Sequence, residues 1–183
     1  MNILIVNGSG SIGSSIVNAL SDIDAKIIYT TNQSNSKNID GCIHWKYKGE
    51  ESVSSLYEVI KQEFDHLDAV VNCLGSIFLK PAHLTGKEDF DATIDINLRS
   101  SFFILKETIP LMRKHGGNIL FFSSSAANIG MVNHEAISAA KGGLEGLVRS
   151  AAATYARNNI RVNALALGLV ESSLSSNIIS NPM

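Results

Sequence analysis

Apolar residues fall in short, β-branched runs that alternate with longer stretches of helical period. Six runs predict strands: Ile3 to Asn7, Lys26 to Thr31, Cys42 to Lys46, Ala69 to Cys73, Asn118 to Ser123 and Arg161 to Leu167. Apolar runs of this length, bounded by turn residues, suit strands covered on both faces of a parallel sheet. Between them, apolar positions spaced by three and four residues predict helices near Ile12 to Ser21, Ser52 to Phe64, Phe90 to His115 and Glu135 to Tyr155. Strand–helix–strand repetition implies right-handed crossovers and a doubly wound α/β sheet with helices on both faces. No repeat, low-complexity tract or linker interrupts the pattern, so residues 1–183 are expected to form one domain.

A chain of 183 residues can build one core without a disulfide or metal staple. Hydrophobic residues make up 45% and charged residues 17%, against about a quarter charged in an average soluble domain. That balance excludes a disordered tail and points to surface buried against other subunits. Fifteen basic and seventeen acidic residues give a net charge of -2 with no like-charge block, which removes nucleic-acid binding through phosphate contacts. Cys42 and Cys73 lie in apolar strands and read as small buried thiols, and no Cys/His spacing suggests a metal. No apolar stretch approaches the roughly eighteen residues of a membrane span. Met1 to Val6 lacks a basic leader and reads as a strand, which makes the cytoplasm the expected location.

Gly8-Ser9-Gly10-Ser11-Ile12-Gly13 is a G-x-G-x-x-G run placed between a strand and a helix. In that context the first glycine permits the tight turn and the second lets a pyrophosphate reach the backbone. The third packs helix on strand, while Ser11, Ile12 and Gly13 open the helix whose free N–H groups hold phosphate. A site selective for the unphosphorylated ribose would put Asp or Glu at the end of the second strand. Here the strand ends Tyr29-Thr30-Thr31-Asn32-Gln33-Ser34, with no acid. Thr30 and Thr31 are the candidate ribose contacts, and NADP is favoured over NAD. Further along, Val70-Val71-Asn72-Cys73-Leu74-Gly75 ends a strand at the side where such sheets bind ligands. Asn97 sits inside a helical pattern that gains nothing from an amide. Ser123-Ser124-Ser125 ends another strand, Lys141 lies on the next helix, and Arg161-Val162-Asn163-Ala164 leads into Leu167-Gly168. That helix also carries Ala139, Ala140, Gly142, Gly143 and Gly146, small residues that admit either a ligand or helix, or close packing on the chain's own sheet.

Taken in order, these motifs resemble the short-chain dehydrogenase/reductase family over essentially the whole chain. The resemblance implies a Rossmann-type fold, a nicotinamide nucleotide, and hydride transfer to or from a carbonyl or alcohol. It implies that Ser124 orients the substrate oxygen and that Lys141 binds the nicotinamide ribose and supports proton relay. Asn97 would hold the relay water, Asn72 and Gly75 would line the adenosine ribose, and Gly168 would stand beside the nicotinamide. A homo-oligomer, dimer or tetramer, is implied too.

The chain departs from the family at the proton donor, a tyrosine four residues before the lysine. Ile137 stands there, thirteen residues after Ser124. General acid catalysis is worth roughly a hundred- to ten-thousand-fold, so another donor is sought. Tyr155 lies eighteen residues along the helix, about 27 Å from Ile137, too far to substitute. His134 shares a face with Ile137 and is the candidate donor; its plainer reading is a loop residue, with Asn133 capping the helix. Lys46 replaces an aspartate usual near the adenine, and the glycine turn is one residue tighter than the common version. The chain ends at Asn181-Pro182-Met183, where family members continue, which implies a shortened chain with an exposed edge strand. The expected function is an NADP-preferring oxidoreductase acting on a small molecule with an altered proton donor. The alternative is a non-catalytic dinucleotide-binding regulator or subunit partner.

Overall fold

A computed structural model describes residues 1–32, 41–172 and 174–180. Gln33, Ser34 and the end at Asn181 to Met183 lie outside the described residues. Six parallel strands form one sheet: β1 (Asn2–Val6), β2 (Lys26–Thr31), β3 (Cys42–His44), β4 (Ala69–Asn72), β5 (Gly117–Ser124) and β6 (Ile160–Leu167). Their spatial order is β3-β2-β1-β4-β5-β6, the doubly wound arrangement that reverses direction between β1 and β4. The register fixes both neighbours of the first strand, with Leu4 opposite Ile28 on β2 and opposite Val70 on β4. All four residues from Ile3 to Val6 are buried, as a central strand covered on both faces requires.

Helices cover the sheet on both sides: α1 (Ser11–Ala19), α2 (Glu50–Glu63), α3 (Lys87–Ile94), α4 (Ser100–Met112), α5 (Ala126–Ile129), α6 (Glu135–Tyr155) and α7 (Ser176–Ser180). Val53, Leu56 and Ile60 of α2 recur at helical spacing and join Ile104 and Met112 of α4 in the core; Leu144 and Val148 of α6 enter the same cluster. No described helix is long and apolar enough to cross a membrane.

Two expectations need correction. The single helix from Phe90 to His115 is broken by a widened π turn at Asp95–Arg99, which separates α3 from α4. Apolar periodicity is nearly blind to one extra residue per turn. The predicted strand from Cys42 to Lys46 ends at His44; the Trp45 N–H still reaches the Thr31 carbonyl of β2 at 2.7 Å, and beyond it the aromatic side chains turn to other partners. Trp45 Nε1 donates to the Ser52 carbonyl and Tyr47 donates to Asp95. The small residues of α6 divide: a Cβ on Gly143 would lie 2.8 Å from Leu98 on the π turn, whereas one on Gly142 would meet open space. Close packing within the chain therefore explains Gly143 and not Gly142. β6 is an outer strand with Leu165 and Ala166 exposed, as expected of the last strand.

Between α2 and α4, Tyr57 is fully buried with its hydroxyl 2.5 Å from Thr108 Oγ1. Thr108 spends its own proton on the Ile104 carbonyl at 2.7 Å, so Tyr57 is the donor. Removing a donor is cheaper than orphaning one. Tyr57→Phe is expected to cost about 1 kcal/mol in urea unfolding, and Thr108→Val more, about 1–3 kcal/mol. A larger loss from Tyr57→Phe than from Thr108→Val would reverse the assignment of donor and acceptor.

Candidate functional site

β1 runs into Asn7, whose backbone is left-handed at φ 59°, a conformation asparagine tolerates better than most residues. Its N–H donates to Thr30 Oγ1 at 2.8 Å and its Nδ2 donates to the Cys73 carbonyl at 3.2 Å. One side chain and one amide thus tie the end of β1 to β2 and to the exit of β4. The Asn7 carbonyl accepts the Gly10 N–H at 3.1 Å and closes the loop. A Cβ on Gly13 would lie 2.4 Å from that carbonyl, and one on Gly8 would lie 2.6 Å from Tyr29 Cβ. Only glycine lets α1 begin this close to the sheet. Gly10 precedes α1 in an extended conformation with no side-chain cap, so the first-turn amides of Ser11, Ile12 and Gly13 stay free at the positive end of the helix dipole.

These residues, with Asn32, wall a groove of about 490 Å³. A smaller cleft of about 160 Å³ shares Ile12, Cys73, Leu74, Gly75, Ser172 and Leu174 with the groove. The cleft reaches Asn97, Ser124, Ile137, Lys141 and Gly168. The groove can seat an anionic nucleotide, because a glycine cradle that any Cβ would fill faces uncommitted amides.

The inner cleft is built on Asn97, which is fully buried on the π turn. Its Nδ2 donates to Ser76 Oγ at 3.1 Å and to the Thr93 carbonyl at 3.0 Å, and its Oδ1 accepts the Ser76 N–H at 3.1 Å. Its backbone carbonyl accepts from Ser101 Oγ, which in turn accepts from Asn72 Nδ2. Asn72 Oδ1 accepts the Leu74 N–H. Both asparagines therefore shape the walls with their amides already engaged. A Cβ on Gly75 would sit 3.1 Å from Asn97 Oδ1 and 3.6 Å from Lys141 Nζ, so glycine leaves the opening between them.

Ser124 ends β5, and its oxygen accepts the Ala126 N–H at 3.2 Å, which leaves its own proton to donate. Lys141 is 8% exposed, and its Nζ donates to the Phe122 carbonyl at 2.7 Å. Burial pulls its ammonium from 10.5 down to about 8. Ile137, 4% exposed, walls the cleft one turn before Lys141. Burial also pushes the Cys73 thiol up to about 12.

Several expected residues stand elsewhere. Thr30 and Thr31 are buried, and the Thr30 hydroxyl supports Asn7; Asn32 is the residue that reaches the groove. His134 does not line the cleft, and its Nδ1 donates to the Val132 carbonyl at 2.7 Å. His134 itself is the N-cap position of α6, while Asn133 is left-handed at φ 63°. The exposed Lys46 walls neither cavity, and Tyr155 packs against the core at the far end of α6. Sequence reasoning passed over Asn7, although an Asn-Gly pair closing a strand is a turn signal. Ser76 carried no signal at all.

The chain matches, over residues 6–182, a family model described as enoyl-(acyl carrier protein) reductase. Hydroxynaphthalene reductase-like protein Arp2 of Metarhizium anisopliae is 37% identical over 123 residues, covering 67% of this chain and 46% of that protein. Cyclopentanol dehydrogenase of Comamonas testosteroni is 33% identical over 141 residues, covering 76% of this chain and 56% of that one. The chain thus spans about half the length of the curated relatives it matches. Among solved structures, ElxO with NADP bound superposes with a TM-score of 0.86 at 25% identity, covering 98% of this chain and 78% of its own.

Buried and, among the described residues, without an ion pair, Lys141 weakens the fold below pH 8, where both states carry the charge and only the folded one is desolvated. Between pH 8 and 10.5 the unfolded chain binds more protons, so this lysine's contribution to stability rises with pH. In urea unfolding, Lys141→Met is expected to gain on the parent most below pH 8. That advantage should shrink by about 3 kcal/mol by pH 10.5. A difference independent of pH would mean an ordinary lysine.

Proposed function

The chain belongs to the short-chain dehydrogenase/reductase family, and on that premise we propose that it is a nicotinamide-dependent oxidoreductase of carbonyl or alcohol substrates. One observation carries this reading: the glycine-loop groove and the cleft of Ser124 and Lys141 adjoin, sharing Ile12, Cys73, Leu74 and Gly75 as common wall. The amides of Ser11, Ile12 and Gly13 would hold the pyrophosphate, with Gly8 and Gly10 allowing its approach and Asn32 facing the adenosine side. Asn72 and Gly75 would shape the wall beside the ribose, and Gly168 would lie beside the nicotinamide. That ring supplies or accepts hydride when bound. Lys141 would donate to one hydroxyl of the neighbouring ribose, and Ser124 would give its free proton in a hydrogen bond to the substrate oxygen. Ile137 donates nothing, and its neighbours Ile12, Leu167 and Leu174 make the cleft a place for an apolar small molecule.

NADP is preferred over NAD in this reading, because no carboxylate follows β2 at Thr31-Asn32 to repel a 2′-phosphate. Two free cysteines suit a reducing compartment, in keeping with a cytoplasmic enzyme. Phe102, 51% exposed on α4, and the open Gly142 on α6 leave apolar surface for a second copy. Sedimentation at micromolar concentration tests that pairing, and a single monomeric species would remove it.

Thermal unfolding with NADPH and with NADH tests the nucleotide site. At a hundred times its Kd, a ligand of the native state adds about 2.7 kcal/mol, a rise of several degrees. The larger rise is expected with NADPH, and Gly13→Ala should lower the melting temperature and abolish the response. No response of the parent chain to either nucleotide would overturn the reading. A response without turnover on any ketone would favour a binding protein without catalysis.

A further inference from the structure

Hydride added to a carbonyl leaves an alkoxide that must gain a proton, and position 137 is hydrocarbon. The other groups walling the cleft are poor acids. Ser76, Ser123, Ser124, Ser172 and Ser175 carry aliphatic hydroxyls, Asn97 an amide, and Cys73 a thiol whose burial holds its proton tightly. His134 turns its ring to the Val132 carbonyl outside the cleft.

Lys141 differs from all of these. It lies one helical turn from Ile137 on the same face of α6, and its Nζ is anchored 2.7 Å from the Phe122 carbonyl. Ser124 and Lys141 both wall the small cleft, so the ammonium and the Ser124 hydroxyl border the same small space. One of its three N–H groups is engaged by that carbonyl, leaving one for the nucleotide ribose and one for the substrate oxygen. The missing Cβ of Gly75 keeps the approach to Nζ open.

Among the described residues Lys141 makes no ion pair. Glu145, one turn further along α6, accepts from Ser123 and Asn128 and faces Arg149. Asp95, on the π turn packed against α6, takes Arg99 and Tyr47. An ammonium in apolar surroundings without a counter-ion parts with its proton readily, and burial brings this one to about 8.

We propose that Lys141 is the acid of the active site, giving its own proton directly to the substrate oxygen with no phenol between them. This rests on the oxidoreductase reading above. A C–H bond forms at the carbonyl carbon with the hydride electron pair, and the carbonyl π pair moves to oxygen and takes the ammonium proton. The substrate gains two electrons, which the reduced nicotinamide loses with the hydride. The neutral amine left on Lys141 regains a proton from water. In the reverse direction the neutral amine is the base, so reduction and alcohol oxidation depend on pH with opposite sign.

The decisive readout is the charge state of Lys141. In protein labelled with 13C-lysine and saturated with NADP, the signal of Lys141, identified by its loss in Lys141→Arg, is expected to titrate near pH 8. A midpoint above 10 overturns the proposal. NADPH oxidation with cyclohexanone as probe should fall about tenfold per pH unit above 8. Lys141→Arg keeps the positive charge but cannot deprotonate; at saturating NADPH it should turn over at least tenfold slower. A pH-independent rate, or equal rates for Lys141→Arg and parent, overturns the proposal while leaving the oxidoreductase reading intact. Absence of any thermal response to NADPH overturns that reading, and this proposal with it.

Discussion

A carboxamide sealed from water must find partners inside the chain for every polar atom, because an unpaired one costs about 1–3 kcal/mol. Asn97 meets that demand by spending its side-chain nitrogen on Ser76 and Thr93 and its side-chain oxygen on the Ser76 N–H, while its backbone carbonyl accepts from Ser101. Those partners belong to the loop after β4, to α3 and to α4, so satisfying one residue fixes three elements at once. The π turn is the backbone's accommodation to it, and Gly143 lets α6 settle onto the same turn against Leu98. Lys141, two residues earlier on α6, is carried to its place by that packing.

The second anchor is Asn7. It holds β1 between β2 and the exit of β4 through Thr30 and Cys73. Cys73 and Gly75 are shared walls of the outer groove and the inner cleft. The two anchors therefore meet at the same loop, and the groove for an anion and the cleft for a reacting group are rigidly related. A nucleotide held at α1 would extend toward Lys141 with no domain movement, since the glycine loop follows β1 and Lys141 is tied to β5, two strands of one sheet separated only by β4.

Within the cleft, isoleucine at position 137 changes the electrostatics as well as the acid. A side chain without a dipole solvates no charge, and the lysine beneath it is left with a single carbonyl partner. The same burial that costs stability below pH 8 makes the ammonium a better proton donor. Stability and the proposed reactivity thus pull in opposite directions at one residue, which is common where a charged group is held for chemistry.

Sequence alone determined the strands, their parallel sheet and the glycine loop, because buried runs, turn residues and a strand–glycine–helix order are local signals. It also placed Ser124, Ile137 and Lys141 at their spacings, and the structure brings those three into one cleft. Tertiary structure decided which polar groups are free. Thr30 reads like a ligand contact along the chain and proves to be the prop under Asn7, and Asn97 reads like a relay residue and proves to have its amide engaged. Ser76 and the π turn left no periodic trace, since each exists to satisfy a partner at least four residues away or on another element. Hydrogen-bond commitments and desolvation are properties of neighbours in space, and only the folded chain assigns those neighbours.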